Sequence, residues 1–211
     1  MKRIDLSVYL VLDPGLCAGL GMVETALAAV KGGVTVVQLR DKDASTEQRI
    51  EIGRALKLAL SGTGATLIMN DDVEAALAIG ADGLHIGQDD MPAAEARARI
   101  GSNMLLGQSV ESVTAAARVD AAIINYVGVG PVFATPTKAD HKTPIGFDGL
   151  AQILRHAPVP AVAIGGLKRE HAVQTIAAGA QGMAVVSAIC GQSDPQQAAA
   201  DIVAAITEAR Q

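Results

Sequence analysis

Short runs rich in Val, Ile, Leu and Met alternate with Ala-rich helical stretches eight times along the 211 residues, and few architectures can absorb that pattern. The runs lie at 7–12, 34–39, 66–69, 83–85, 104–107, 123–127, 161–164 and 182–186. The helical stretches lie at 22–31, 46–61, 73–79, 93–100, 112–119, 147–156, 169–178 and 195–209. Repeated strand–helix alternation makes successive strands parallel, and eight such units predict an α/β fold, a closed (β/α)8 TIM barrel with its helices outside. Glycine punctuates three returns to the next strand: Lys31-Gly32-Gly33-Val34, Ile79-Gly80-Ala81-Asp82-Gly83 and Ala178-Gly179-Ala180-Gln181-Gly182. Each reads as a helix ending in Gly at the bottom of the barrel. No linker interrupts the pattern, so residues 1–211 read as a single domain with a large core.

Half of the residues are apolar, yet aromatics make up 2% and Trp is absent, so that core has to be built from Ala, Val, Ile and Leu. A net charge of -5 offers no general attraction to phosphate backbones or anionic lipid, and neither nucleic acid nor membrane is expected as a partner. The first residues lack the apolar region and cleavage site of a signal peptide. The uncharged run 121–137 contains Gly128, Gly130 and two prolines and does not read as a membrane span. Cys17 and Cys190 are isolated, which predicts two small buried hydrophobes in a reducing, cytoplasmic setting. The oligomeric state is left open by the sequence, a homo-oligomer included.

In such barrels the chemistry sits where strands end, and these ends are unusually polar. The second strand finishes in Gln38-Leu39-Arg40-Asp41-Lys42, where period-two alternation puts Gln38, Arg40 and Lys42 on one face. Three same-side donors, two of them cationic, suit an anionic ligand such as phosphate and do not suit a core. The third strand ends in Asn70-Asp71-Asp72, and the fourth runs through His85-Ile86-Gly87-Gln88 to Asp89-Asp90. Carboxylates beside Arg40 and Lys42 suit Mg²⁺ held between protein and diphosphate, with its remaining positions left to phosphate and water. Acidic pairs also cap helices, and Asp71, Asp72, Asp89 or Asp90 could do only that. The simpler reading of His85 is a satisfied core histidine.

The sixth strand leads into Tyr126-Val127-Gly128-Val129-Gly130-Pro131, but Phe133 stands where a dinucleotide fingerprint needs Gly. A long polar segment follows, from Thr135-Pro136-Thr137-Lys138 to Gly146, with the character of a lid. The seventh strand ends in Ile164-Gly165-Gly166 and the eighth in Val186-Ser187, which suits a phosphate held by backbone N–H groups.

Taken together with Gly107-Gln108-Ser109, these motifs resemble the thiamine phosphate synthase family over nearly the whole chain; no one of them is specific alone. The family usually carries Pro where Ala134 stands. The resemblance implies a transferase of thiamine biosynthesis that joins a hydroxymethylpyrimidine diphosphate to a hydroxyethylthiazole phosphate with Mg²⁺, releasing diphosphate. It implies that Gln38, Leu39, Arg40, Asp41, Lys42, Asn70, Ser109 and Lys138 form the pyrimidine diphosphate subsite, with Arg40, Lys42, Ser109 and Lys138 acting in catalysis. It places Thr135, Pro136, Thr137, Gly166, Val186 and Ser187 at the thiazole phosphate, and Asp71 and Asp90 on the metal. Related thiazole tautomerases share the barrel but cleave no diphosphate, and would not need Arg40, Lys42, Asp71 and Asp90 together. A non-catalytic phosphate-binding barrel is the other rival, separated by a product-release assay.

Overall fold

The apolar runs become parallel strands because both of their faces are covered, by helices outside and by one another inside. A computed structural model describes residues 4–135 and 143–211. Its strands are β1 (Val8–Leu12), β2 (Val36–Leu39), β3 (Thr66–Asn70), β4 (Gly83–Ile86), β5 (Leu105–Val110), β6 (Tyr126–Val129), β7 (Ala161–Ile164) and β8 (Gly182–Val185). They close into a barrel in sequence order, with β8 pairing back onto β1. Around it lie α1 (Met22–Lys31), α2 (Thr46–Ala59), α3 (Val73–Ile79), α4 (Ala93–Ile100), α5 (Val113–Ala117), α6 (Gly146–Leu154), α7 (Ala172–Ala177) and α8 (Pro195–Ala209). No helix among the described residues is long and apolar enough to cross a membrane.

Alternation along each strand sorts the core into two layers. Leu10, Leu39, Met69, Leu84 and Leu106 point outward and pack against helix residues such as Ala26, Ala75 and Ala199, whose small side chains bring the helices close. Tyr9, Val11, Val36, Ile68, Leu105, Tyr126, Val162 and Ala184 point inward and fill the barrel. The outer layer is the aliphatic core expected from composition; the interior departs from it, because both tyrosines of the chain lie there, fully enclosed. Removing an outer-layer side chain such as Leu84, which has no exposure, costs about 2–5 kcal/mol by the usual penalty for large-to-small core changes.

Polar side chains set the helix starts at the top of the barrel. Ser45 and Gln48 form a reciprocal capping box on α2, and Asp72, Ser112 and Asp194 accept from the third N–H of α3, α5 and α8. At the bottom, Gly80 ends α3 in the left-handed conformation with φ 60°. The sixth strand starts later than expected, at Tyr126, because the Asp120 carbonyl accepts from Ile123 and Ile124 N–H and folds those β-branched residues into a turn. The fifth runs on to Val110, since Gln108, Ser109 and Val110 pair with Val127, Gly128 and Val129. A 3-10 turn, Arg169–His171, replaces the first turn expected of α7. Cys17 and Cys190 are free and buried, and the Cys190 thiol donates to the Val11 carbonyl at 3.7 Å.

Candidate active site

The strands' C-terminal ends open into one cavity of about 260 Å³, room for an organic ligand and not only a few waters. Gln38, Arg40 and Lys42 line it, as alternation requires. Leu39 turns the other way into the outer core layer. Asp41 also lies off the cavity wall; its carboxylate accepts from Asp43 and Ala44 N–H and closes the turn after β2. Arg49 on α2 braces that turn, donating to the Asp41 carbonyl at 2.8 Å and the Lys42 carbonyl at 3.3 Å. Neither the Arg40 guanidinium nor the Lys42 ammonium hydrogen-bonds or ion-pairs with a described residue, so both remain able to meet an anion.

The four carboxylates of the third and fourth strand ends divide. Asp71 and Asp90 line the cavity beside each other. Burial, then the neighbouring Asp90, pushes the Asp71 carboxyl up to about 7, against the pull of Lys42. Asp71 holds φ 60°, a left-handed conformation that a non-glycine residue adopts at a cost, and its carboxylate accepts from the Asn70 amide. Asp90 is held by Gly87 N–H at 2.6 Å; a Cβ on Gly87 would stand 2.6 Å from the same carboxylate oxygen. Asp72 faces away. It caps α3 and accepts from Thr46 at 2.8 Å and Arg49 at 3.1 Å, and against the effect of burial these bonds hold its carboxyl below its usual range. Asp89 is exposed and absent from the wall.

Two adjacent carboxylates, one raised by burial and repulsion, fit a divalent cation that keeps most of its ligands as water and phosphate. Among the described residues no three His, Cys, Asp or Glu side chains cluster as a protein-only metal cage. Asp71 and Asp90 are the pair that would hold Mg²⁺.

Across the mouth the wall is backbone. Gly165, at φ 105°, and Gly166, at φ 63°, carry the chain from β7 over the segment after β6. A Cβ on Gly165 would stand 2.6 Å from Pro131, and one on Gly166 would stand 2.8 Å from the Ala134 carbonyl. The N–H groups of Gly166 and Ser187 make no hydrogen bond with the described residues. Thr135, Gly166, Val186 and Ser187 all line this corner, whereas Pro136, Thr137 and Lys138 lie outside the described residues.

Asn70 and Ser109 line the cavity as expected, and so does His85, which is buried and hydrogen-bonded through both ring nitrogens. Being a satisfied histidine and facing the cavity turn out to be compatible. Sequence reasoning missed Tyr9, Val11, Glu111, Val162 and Ala184 on the wall. Alternation from Ser109 reaches Glu111, and alternation from Gln38's register partner Val11 reaches Tyr9, so the signal for both was present.

The match to the family model described as thiamine monophosphate synthase runs over residues 8–189. A thiamine-phosphate synthase of Xanthobacter autotrophicus is 49% identical over 209 residues, covering 99% of each chain. Another, from a Psychrobacter species, is 45% identical over 202 residues, with 94% of each covered. Among solved structures, a thiamine phosphate pyrophosphorylase from Pyrococcus furiosus superposes with a TM-score of 0.88 at 33% identity, covering 98% of both chains. With fold, full-length similarity and family model in agreement, this chain belongs to the thiamine monophosphate synthase family and is a transferase.

Proposed function

We propose that the protein joins 4-amino-2-methyl-5-hydroxymethylpyrimidine diphosphate to 4-methyl-5-(2-hydroxyethyl)thiazole phosphate, forming thiamine phosphate and diphosphate in the cytoplasm. The observation that carries this reading is that Arg40 and Lys42, unpaired among the described residues, share one wall with Asp71 and Asp90, opposite a corner whose backbone N–H groups make no hydrogen bond with the described residues. A barrel that only held a monophosphate would have no use for the first wall.

The chain's own residues account for most of the chemistry. Arg40 can take two diphosphate oxygens at once, and Lys42 adds a second positive charge as the leaving group gains negative charge. Mg²⁺ held by Asp71 and Asp90 supplies further positive charge to the diphosphate when bound. The aminopyrimidine itself stabilises the methylene cation left by ionisation, so little acid–base catalysis is asked of the protein. Val11, Val162 and Ala184 give the cavity an apolar side that keeps water from the cation until the thiazole nitrogen captures it. Gly166 and Ser187 N–H groups orient the thiazole by its phosphate, and holding both substrates face to face supplies much of the rest. The family resemblance adds Lys138, Thr135 and Thr137 to these contacts.

Incubating the purified protein with both substrates and Mg²⁺ tests the reading. Thiamine phosphate and diphosphate should appear together, and omission of either substrate or addition of a chelator should stop both. Tight binding of both substrates without product would overturn it in favour of a non-catalytic barrel.

A further inference from the structure

A line of hydrogen bonds crosses the cavity floor through five strands. Gln38 Nε2 donates to the Tyr9 hydroxyl at 2.7 Å, and the Tyr9 and Tyr126 hydroxyls are 2.9 Å apart. The Tyr126 hydroxyl lies 3.2 Å from His85 Nδ1, and His85 Nε2 lies 3.0 Å from Ser109 Oγ. The barrel is packed to admit this line. His85, Gly107 and Tyr126 are register neighbours on β4, β5 and β6. A Cβ on Gly107 would stand 2.5 Å from the Tyr126 hydroxyl oxygen and 2.6 Å from His85 Nδ1, so only glycine lets the phenol reach the imidazole.

The direction of the line follows from counting protons. Burial pushes both phenol groups up, so each tyrosine keeps its one proton. Tyr9 accepts from Gln38 and must send its own proton to Tyr126. Tyr126 must then donate to His85 Nδ1, which therefore accepts. An imidazole accepting at Nδ1 carries its proton on Nε2 and gives it to Ser109 Oγ. With Gln38 donating, any other arrangement leaves a phenol proton without an acceptor among the described residues or sets two protons against each other.

We propose that Gln38, Tyr9 and Tyr126 form a positioning relay that holds His85 in its Nε2–H tautomer, and so turns the Ser109 hydroxyl proton into the cavity as a donor to the diphosphate-bearing substrate. The tautomer stands on the hydrogen bonds alone; the direction of the Ser109 proton toward that substrate rests on the reaction proposed above.

Nitrogen-15 NMR of imidazole-labelled, ligand-free protein reads the tautomer directly, with the His85 signals assigned by their loss in His85→Gln. An imine-type Nδ1 and a protonated Nε2 are expected. A proton on Nδ1, which the reverse orientation of the Gln38 amide would impose, or protons on both nitrogens, would overturn the relay. Tyr126→Phe keeps the ring and deletes one oxygen. It should mix the two His85 tautomers and lower kcat about tenfold, the scale of one lost hydrogen bond, while KM for thiazole phosphate is unchanged. Tyr9→Phe, one bond further from the imidazole, should do the same to a smaller degree. An unchanged tautomer in Tyr126→Phe, or a rise in KM with kcat intact, would refute the positioning role. If the wild-type tautomer is as expected but no thiamine phosphate forms, the reaction falls and the relay remains.

Discussion

The two ends of the cavity offer an anion different kinds of grip. Beneath β2, β3 and β4 an anion meets side-chain charge, from Arg40 and Lys42 set against Asp71 and Asp90. Beyond β7 and β8 it meets backbone, N–H groups aimed by two glycines at positive φ. Charged side chains give the larger electrostatic effect but leave Asp71 poorly solvated beside a second carboxylate when no ligand is there. Backbone donors are weaker and already in place. The division matches the proposed chemistry, because the diphosphate changes charge as it leaves, whereas the thiazole phosphate keeps its charge and serves as a handle.

The comparison breaks most visibly at the charged end. Arg40→Ala and Asp71→Asn should each lower kcat/KM for the pyrimidine diphosphate by about 10²–10³, roughly the 3–4 kcal/mol lost with an oxyanion-type donor. The thiazole phosphate requirement should barely change. Steady-state titration of each substrate decides it, and a defect confined to the thiazole side would invert the assignment of the two ends.

At the backbone end, Gly166→Val should raise KM for thiazole phosphate about tenfold and leave the pyrimidine side nearly intact. The cause is indirect. The new Cβ meets Ala134 and Phe133 at 2.8 Å and sits at φ 63°, so the segment after β6 has to move and carry Thr135 with it. Some loss of thermal stability, about 1–3 kcal/mol for the strained backbone, should accompany the kinetic defect.

The two ends were also unequally legible in the sequence. Gln38, Arg40 and Lys42 announce themselves because charge interrupts an apolar run at a strand's end, and the eightfold alternation was enough for the barrel. Leu39 and Asp41 travelled with that motif although their side chains point elsewhere, into the outer core and the turn. Asp71 and Asp72 are adjacent and chemically identical; only the left-handed backbone at Asp71 decides which one faces the cavity. The Tyr9–Tyr126 bond joins residues 117 apart, and it depends on how the strands stagger when the barrel closes, which periodicity along one strand does not encode.

A smaller effect sharpens the electrostatic cost at the charged end. The Asp71 carboxyl is raised in the folded protein to about 7, so the native state binds that proton more tightly than the unfolded chain does. Metal-free stability should therefore fall as pH rises from about 4 through 7. A cation bound by Asp71 and Asp90 offsets the poorly solvated carboxylate charge, so the gain in Tm from Mg²⁺ should be larger at pH 8 than at pH 6, by roughly 2–4 °C for each kcal/mol of linkage. Asp71→Asn should abolish that pH dependence. Equal gains at both pH values would remove the pair as the metal site.

The smallest expected effect is the one that isolates Asp71 from its neighbour. Asp72→Asn keeps a side-chain oxygen to accept from Ala75 N–H, so the cap on α3 survives, since Asn caps as well as Asp. What it loses is the oxygen that accepts from both Thr46 and Arg49; the Thr46 hydroxyl can turn to accept from the new amide, so the main loss is the ion pair with Arg49, whose members are 21% and 8% exposed, at a cost of about 1 kcal/mol. Arg49 still donates to the Asp41 and Lys42 carbonyls, so the turn that aims Lys42 stays in place. Turnover should remain within about twofold of wild type while Tm falls by roughly 2–4 °C. The same isosteric change one residue earlier should cost at least fifty times more in kcat/KM. If instead Asp72→Asn cripples turnover at full stability, the carboxylate that matters is on the α3 side, and the wall built from Asp71 and Asp90 has been drawn one residue out of place.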